Sequence, residues 1–235
     1  MISLSRSALE QFIRCPRCFY LQRRLGLKPP SLVPLTPAVA TDALLKNEFD
    51  TVRHSGSSHP LWEREALRVK AFRHPDIDLW RNNFKGLRVT HPTGATIYGA
   101  IDDIWENLET EELHIVDYKS TSKQGEPTIE SGFGESYKRQ MEIYQWLFRK
   151  AGFKVSNTGY FLYVNGSKAG GFYDANLAAT MKFTTSLISY VGSDGWVDGK
   201  IRESIKSLNS VDLPDSGSGC DSCRYFSERL EIING

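Results

Sequence analysis

Apolar positions along the chain follow two rhythms. Ala8, Leu9, Phe12 and Ile13 recur at helical spacing after Ser5, which predicts an amphipathic helix with a serine N-cap. Cys15-Pro16 interrupts it, and Phe19, Tyr20, Leu21 and Leu25 predict a second helical stretch closed by Gly26. Pro29, Pro30, Pro34 and Pro37 mark residues 28–37 as an extended connector, because each ring removes a backbone donor and restrains its predecessor. From Asp42 to Arg53 the helical period returns, with Leu44, Leu45, Phe49 and Val52 on one face. Residues 54–60 are polar and turn-like, and 61–85 carry scattered Trp and Phe without a clear period.

The centre changes to a period of two. Leu87–His91, the turn Pro92-Thr93-Gly94 and Ala95–Leu108 predict a hairpin. Glu109–Glu112 predicts a second turn and Leu113–Ser120 a third strand, in which His114, Val116 and Tyr118 alternate with Ile115, Asp117 and Lys119. Glu135–Lys150 predicts a helix with Tyr137, Met141, Tyr144, Leu147 and Phe148 at helical spacing and Gly152 at its end. A short strand is expected over Gly159–Val164, the start of another over Gly171–Tyr173, and helices over 177–191 and 200–208. This order predicts an α/β fold in one domain, with a central mixed sheet flanked by helices.

Composition narrows the reading. At 235 residues and 40% hydrophobic content the chain can bury a substantial core. No stretch approaches 18 consecutive apolar residues, so no membrane span is expected. Arg6, Glu10 and Arg14 stand where a secretion signal needs an apolar core, so a cytoplasmic location is expected, with reduced or metal-bound cysteines. The net charge of +1 excludes a uniformly basic coat but hides a division. Residues 1–30 carry six basic residues against one acid, whereas Gly99–Asp117 holds seven acids and no Lys or Arg. A phosphate-binding edge beside a cation-binding site fits this division.

Two strand ends carry the sharpest chemistry. Gly99-Ala100-Ile101-Asp102 is followed after a hairpin by Ile115-Val116-Asp117-Tyr118-Lys119. Strand side chains alternate, so Asp117 and Lys119 share a face, and pairing of the strands can bring Asp102 beside Asp117. Two carboxylates that close repel unless a cation lies between them, and oxygen ligands favour Mg2+ or Mn2+. Such an ion can lower the pKa of a water and neutralise charge on a phosphate. Lys119 can orient that water or stabilise the transition state. Gln140 and Tyr144, at i and i+4, share a face of the following helix.

Gly99–Asp102, Asp117-Tyr118-Lys119 and Gln140–Tyr144, in this order, resemble the PD-(D/E)XK nuclease superfamily. The chain is most similar to the RecB-like branch, which includes CRISPR-associated exonucleases and AddB-type nuclease domains. Ser5–Leu27, with its Ser-x-x-x-Leu and Cys-Pro runs, is similar to that branch's N-terminal cluster motif. The resemblance spans roughly residues 5–226 and is loose over 50–85 and 175–215. It implies a restriction-endonuclease-like core over residues 87–164. It implies Asp102, Asp117 and the Tyr118 carbonyl as metal ligands, Lys119 as the catalytic lysine, and Gln140 and Tyr144 as the QxxxY pair. The branch places a metal-binding His on an earlier helix. This chain has none there, and Asp42 or Glu48 stands as the candidate oxygen ligand.

All four cysteines fall into two C-x2-C pairs, Cys15/Cys18 and Cys220/Cys223, the spacing at which two thiolates reach one ion. One four-cysteine site would then clip residues 1–30 to 215–226 and close a long loop. The branch binds a 4Fe-4S cluster with one N-terminal and three C-terminal cysteines. Here Arg229 stands near the third C-terminal position and Cys18 is additional. Four thiolates suit an iron–sulfur cluster, and the two-plus-two arrangement equally suits Zn2+.

Arg6, Arg14, Arg17, Arg23 and Arg24 surround the first pair, beside aromatics, which suits phosphate contact and base stacking on single-stranded DNA, with Arg14, Arg17, Arg23 and Arg24 as the candidate DNA-binding residues. The reading is a Mg2+- or Mn2+-dependent DNA nuclease, acting as an exonuclease on single-stranded or end-containing DNA in repair, recombination or CRISPR-type processing. The alternative is a weakly active or inactive DNA-binding module of the same fold with a structural metal site. No P-loop is present, so unwinding would fall to a helicase partner, and CRISPR adaptation proteins are the other expected partners.

Overall fold

The computed structural model describes residues 2–29, 36–173 and 175–234. Two short helices, α1 (Arg6–Arg14) and α2 (Pro16–Arg23), follow a first strand, β1 (Ser3–Ser5). The Ser5 hydroxyl accepts the Ala8 N–H at 3.1 Å, the expected N-cap. Gly26, at φ +72°, ends the second helical stretch. Of the predicted connector, Pro30 and Pro34 lie outside the described residues. Pro37 instead lies in the first turn of α3 (Thr36–Ser55), where a missing N–H costs nothing.

α3 is longer than the predicted 42–53. Phe49 and Val52 are buried on its inner face, but Leu44 is exposed, a correction to the predicted face. The unpatterned stretch 61–85 folds as α4 (Pro60–Arg64), β2 (Val69–Ala71) and α5 (Ile77–Trp80), elements too short to show a period.

The predicted second hairpin strand is two strands. β3 (Leu87–Thr90) pairs antiparallel with β4 (Thr96–Gly99), which pairs parallel with β1 in a three-stranded sheet. The chain breaks at residues 100–102 and continues as β5 (Asp103–Asn107) in a second sheet. That sheet has five strands in the order β2-β5-β6-β7-β8, with β6 (Leu113–Thr121), β7 (Thr158–Gly166) and β8 (Phe183–Val191). β6 and β7 run parallel and the other neighbours antiparallel, so the sheet is mixed as expected. β8 replaces the helix predicted within 177–191. Its Thr184, Thr185, Ile188 and Val191 are β-branched, and β7 supplies a full antiparallel partner. Gly171–Tyr173 forms no strand, only a bridge from Tyr173 to Ala179.

Both faces of the five-stranded sheet are covered. Ile104, Ile115 and Phe161 enter one core with α6 (Gly134–Lys150) and α7 (Val197–Asn209). Trp105, Val116 and Leu162 enter the other with Phe49 of α3 and Trp62 of α4. β6 is accordingly buried on both faces from Leu113 to Tyr118, His114 and Asp117 included. Gly159 lets α6 lie close to β7, since a Cβ there would sit 2.3 Å from the Met141 sulfur. Glu142 of α6 is buried yet fully used, accepting from the Tyr190 hydroxyl at 2.7 Å, the Ser193 N–H at 3.0 Å and the Trp196 indole at 2.7 Å. The last helix, α8 (Asp221–Asn234), has no buried residue.

Candidate active site

The break between β4 and β5 sends neighbouring carboxylates in different directions. Asp102, in the break, is partly exposed, and its Oδ2 accepts the Tyr118 N–H at 2.8 Å. Asp103, the first residue of β5, is wholly buried on the α3 side. It meets the Arg53 guanidinium, accepts from the Tyr118 hydroxyl at 2.9 Å and caps the Ile104 N–H at 2.8 Å. β6 therefore anchors both acids, one through the backbone of Tyr118 and one through its ring.

Asp117 is 1% exposed and points to the Asp102 side. Its Oδ1 accepts from Gln140 Nε2 at 2.8 Å. Its Oδ2 is buried, makes no well-aligned hydrogen bond among the described residues, and faces the Lys119 ammonium. Lys119 also donates to Gln140 Oε1 at 3.4 Å and lies 4.3 Å from the centre of the Tyr137 ring. Gln140 Nε2 donates further to the Tyr144 hydroxyl at 3.2 Å, which leaves the Tyr144 proton free to donate. The Tyr144 ring lies over Gly99. A Cβ on that residue would stand 2.7 Å from the ring, which is the packing reason for glycine there.

The charges of the cluster act strongly on one another. Burial and the Asp117 charge push the Asp102 carboxyl up to about 7, against the pull of Lys119 and Lys46. Burial alone would lower the Lys119 ammonium, yet Asp117 and Asp102 hold it above the usual lysine range. It is thus a cation and donor at neutral pH, not a base. The remaining oxygens face lysine ammoniums, Oδ1 of Asp102 with Lys46 at 3.9 Å and Oδ2 of Asp117 with Lys119. A close carboxylate pair in this state fits a hard divalent ion, with the Lys119 ammonium answering the same negative potential.

Asp42 approaches this cluster through Lys46, whose ammonium stands 2.8 Å from Asp42 and 3.9 Å from Asp102. Glu48 does not; its carboxylate meets His59 Nε2 at 3.3 Å. Among residues the sequence did not single out, Arg53 and Asp103 stabilise the floor of the site. Their fifty-residue separation left no local pattern to find.

A profile of the PD-(D/E)XK nuclease superfamily matches residues 37–227, which take in all of these side chains. The chain belongs to the PD-(D/E)XK nuclease superfamily. No curated protein matches it.

The nuclease core continues into the thiolate site. Cys15, Cys18, Cys220 and Cys223 converge from the two ends of the chain, all four sulfurs lying within 4.8 Å of one another. The Cys15 sulfur accepts N–H groups from Gly217 at 3.2 Å and Cys18 at 3.4 Å. Although burial opposes it, these bonds bring the Cys15 thiol down to about 7, whereas burial and its neighbours push Cys223 up to about 11. The group can hold a metal.

Beside it opens a cavity of about 870 Å³, bordered by Arg6, Arg14, Arg23, Cys18 and Cys220. Arg139, on its α6 side, is neutralised by Glu10 through two bonds of 2.8 and 2.9 Å. Arg6, Arg14 and Arg23 form no ion pair among the described residues, so the cavity is basic. Arg17 turns away, donating to the Pro214 carbonyl at 2.9 Å, and Arg24 caps α2 on the exposed surface. Of the arginines that the sequence groups around the first cysteine pair, the cavity takes Arg6, Arg14 and Arg23. No helix among the described residues is long and apolar enough to cross a membrane.

Proposed function

We propose that this nuclease is a Mg2+- or Mn2+-dependent deoxyribonuclease that hydrolyses phosphodiester bonds as an exonuclease on single-stranded DNA or DNA ends. The observation that carries the reading is the meeting of Asp102, Asp117 and Lys119 beneath the Gln140 amide. Asp102, Asp117 and the Tyr118 carbonyl would hold the ion, with Asp42 as the candidate further ligand. Bound there, the ion supplies an activated water and neutralises charge on the scissile phosphate.

The chain's own residues do the rest. Gln140 fixes the orientation of the Asp117 carboxylate and the reach of Lys119. Lys119 donates to the phosphate oxygens as charge develops on them. Tyr144 offers a free hydroxyl proton at the same face. Arg6, Arg14 and Arg23 supply cations along the cavity beside the thiolate site, and a phosphodiester backbone is the polymer that fits such a row. The N-terminal cluster motif supports placement in the RecB-like branch. The helicase and CRISPR-type partners follow from that placement alone.

The test incubates purified protein with end-labelled single- and double-stranded DNA and Mg2+ or Mn2+. Metal-dependent release of mono- or short oligonucleotides, abolished in Asp117→Ala and Lys119→Ala, is expected. DNA retention without cleavage above those variants would sink the reading and leave a binding module in its place.

A further inference from the structure

The two C-x2-C pairs occupy equivalent positions on two helices. Cys15 is the N-cap of α2 and Cys18 lies in its first turn. Cys220 immediately precedes α8 and Cys223 lies in its first turn. Two helix N-termini therefore face one cluster of thiolates, and their partial positive charge favours the anionic form.

The spacing of the sulfurs discriminates between occupants. Cys15 and Cys223 are 3.6 Å apart, Cys18 and Cys220 3.6 Å, and Cys18 and Cys223 3.5 Å. Four thiolates at the zinc–sulfur bond length around one tetrahedral ion stand about 3.8 Å apart. A 4Fe-4S cubane binds each thiolate at a different corner of a cube, so it spreads the four sulfurs well beyond that separation. The cage also has a rigid wall. Gly217 lies flush against the Arg14–Cys15 backbone, where an added Cβ would meet the Arg14 carbonyl oxygen at 2.0 Å.

We infer that the four cysteines hold one tetrahedral ion, Zn2+, in place of the iron–sulfur cluster that the RecB-like resemblance implies. Zinc follows from ligand chemistry, since a four-thiolate tetrahedron binds it more tightly than ferrous iron. The ion carries no redox chemistry and acts as a staple between α2 and α8. Because Cys15, Cys18 and Cys220 border the arginine cavity, the staple also sets the width of that cavity.

The experiment isolates the full chain anaerobically from cells supplied with both iron and zinc, then measures bound metals and the visible spectrum. One zinc per chain and a colourless sample are expected. Exchange of wild-type protein into Co2+ should give the intense visible bands of a tetrahedral cobalt–thiolate site, and this needs no variant that could fail to fold. Four irons with broad visible absorption, one iron per chain, or a folded metal-free protein with four titratable thiols would each overturn the inference. None of these readings uses DNA cleavage, so the inference stands or falls separately from the nuclease activity.

Discussion

Gln140 grips Asp117 from α6, donating Nε2 to Oδ1 at 2.8 Å while its own Oε1 lies 3.4 Å from the Lys119 ammonium. One amide thereby orients both charged groups, while the opposite oxygen of Asp117 pairs with the Lys119 ammonium.

Replacing Gln140 with Ala should leave the fold intact and weaken the site. Partners that orient a metal ligand typically account for about 10–100-fold in metal affinity or activity. A fall of that size in Mn2+ affinity by calorimetry, with an unchanged denaturation midpoint, is expected. Unaltered Mn2+ binding would show that Gln140 does not position Asp117.

Arg53 and Asp103 form a buried pair, 5% and 0% exposed. Removing one partner of such a pair costs about 3–5 kcal/mol, because the remaining charge stays buried without compensation. Arg53→Met should lose stability on this scale in urea unfolding, and Arg53→Met with Asp103→Asn should recover part of the loss. A single-variant loss under about 1 kcal/mol, the level of an exposed pair, would contradict the buried geometry.

Asp50 carries a pH signature. Although burial opposes it, hydrogen bonds and charge from Arg81, with Arg53, hold its carboxyl below the ordinary 3.8. A depressed carboxyl contributes stability that is complete above its unfolded value and is lost as pH falls through the folded one. Asp50→Asn should therefore lower the urea midpoint at pH 7, and its gap to wild type should shrink below about pH 4. A gap that widens with acid would reverse the assignment.

Arg14 and Arg23 should report on DNA through salt. Each phosphate contact removed lowers the slope of log affinity against log salt by about 1. Arg14→Ala and Arg23→Ala should each reduce the slope for a single-stranded oligonucleotide, measured in an Asp117→Ala background to prevent cleavage. Arg17→Ala, which loses a bond to Pro214, should leave it unchanged.

The fold was partly legible, for identifiable reasons. β6 and α6 could be read because each carries a full run of its own period, nine residues in one and seventeen in the other. The sequence of β8 reads as helix because only part of each face is covered, so its apolar residues do not alternate cleanly with polar ones. Leu44 reads as inward because helical phase alone does not say how wide the covered stripe is. The split between β4 and β5 is hidden because residues 100–102, Ala-Ile-Asp, hold no Gly or Pro to mark a break while the chain changes sheets.

At the site, local chemistry was written in the residues and distance was not. Asp117 and Lys119 share a face by strand alternation, Gln140 and Tyr144 by helical pitch, and each cysteine pair by its two-residue spacing. These relations hold within one element, so sequence alone determined them. Only the tertiary structure decided that Asp102 turns toward Asp117 while Asp103 turns to Arg53, and that Arg6 joins Arg14 and Arg23 while Arg17 leaves. Packing also closed the sulfur cage to the span of a single ion. Each of these depends on elements brought together across long stretches of chain, where no periodicity connects one residue to the next and burial of the shared core sets the geometry.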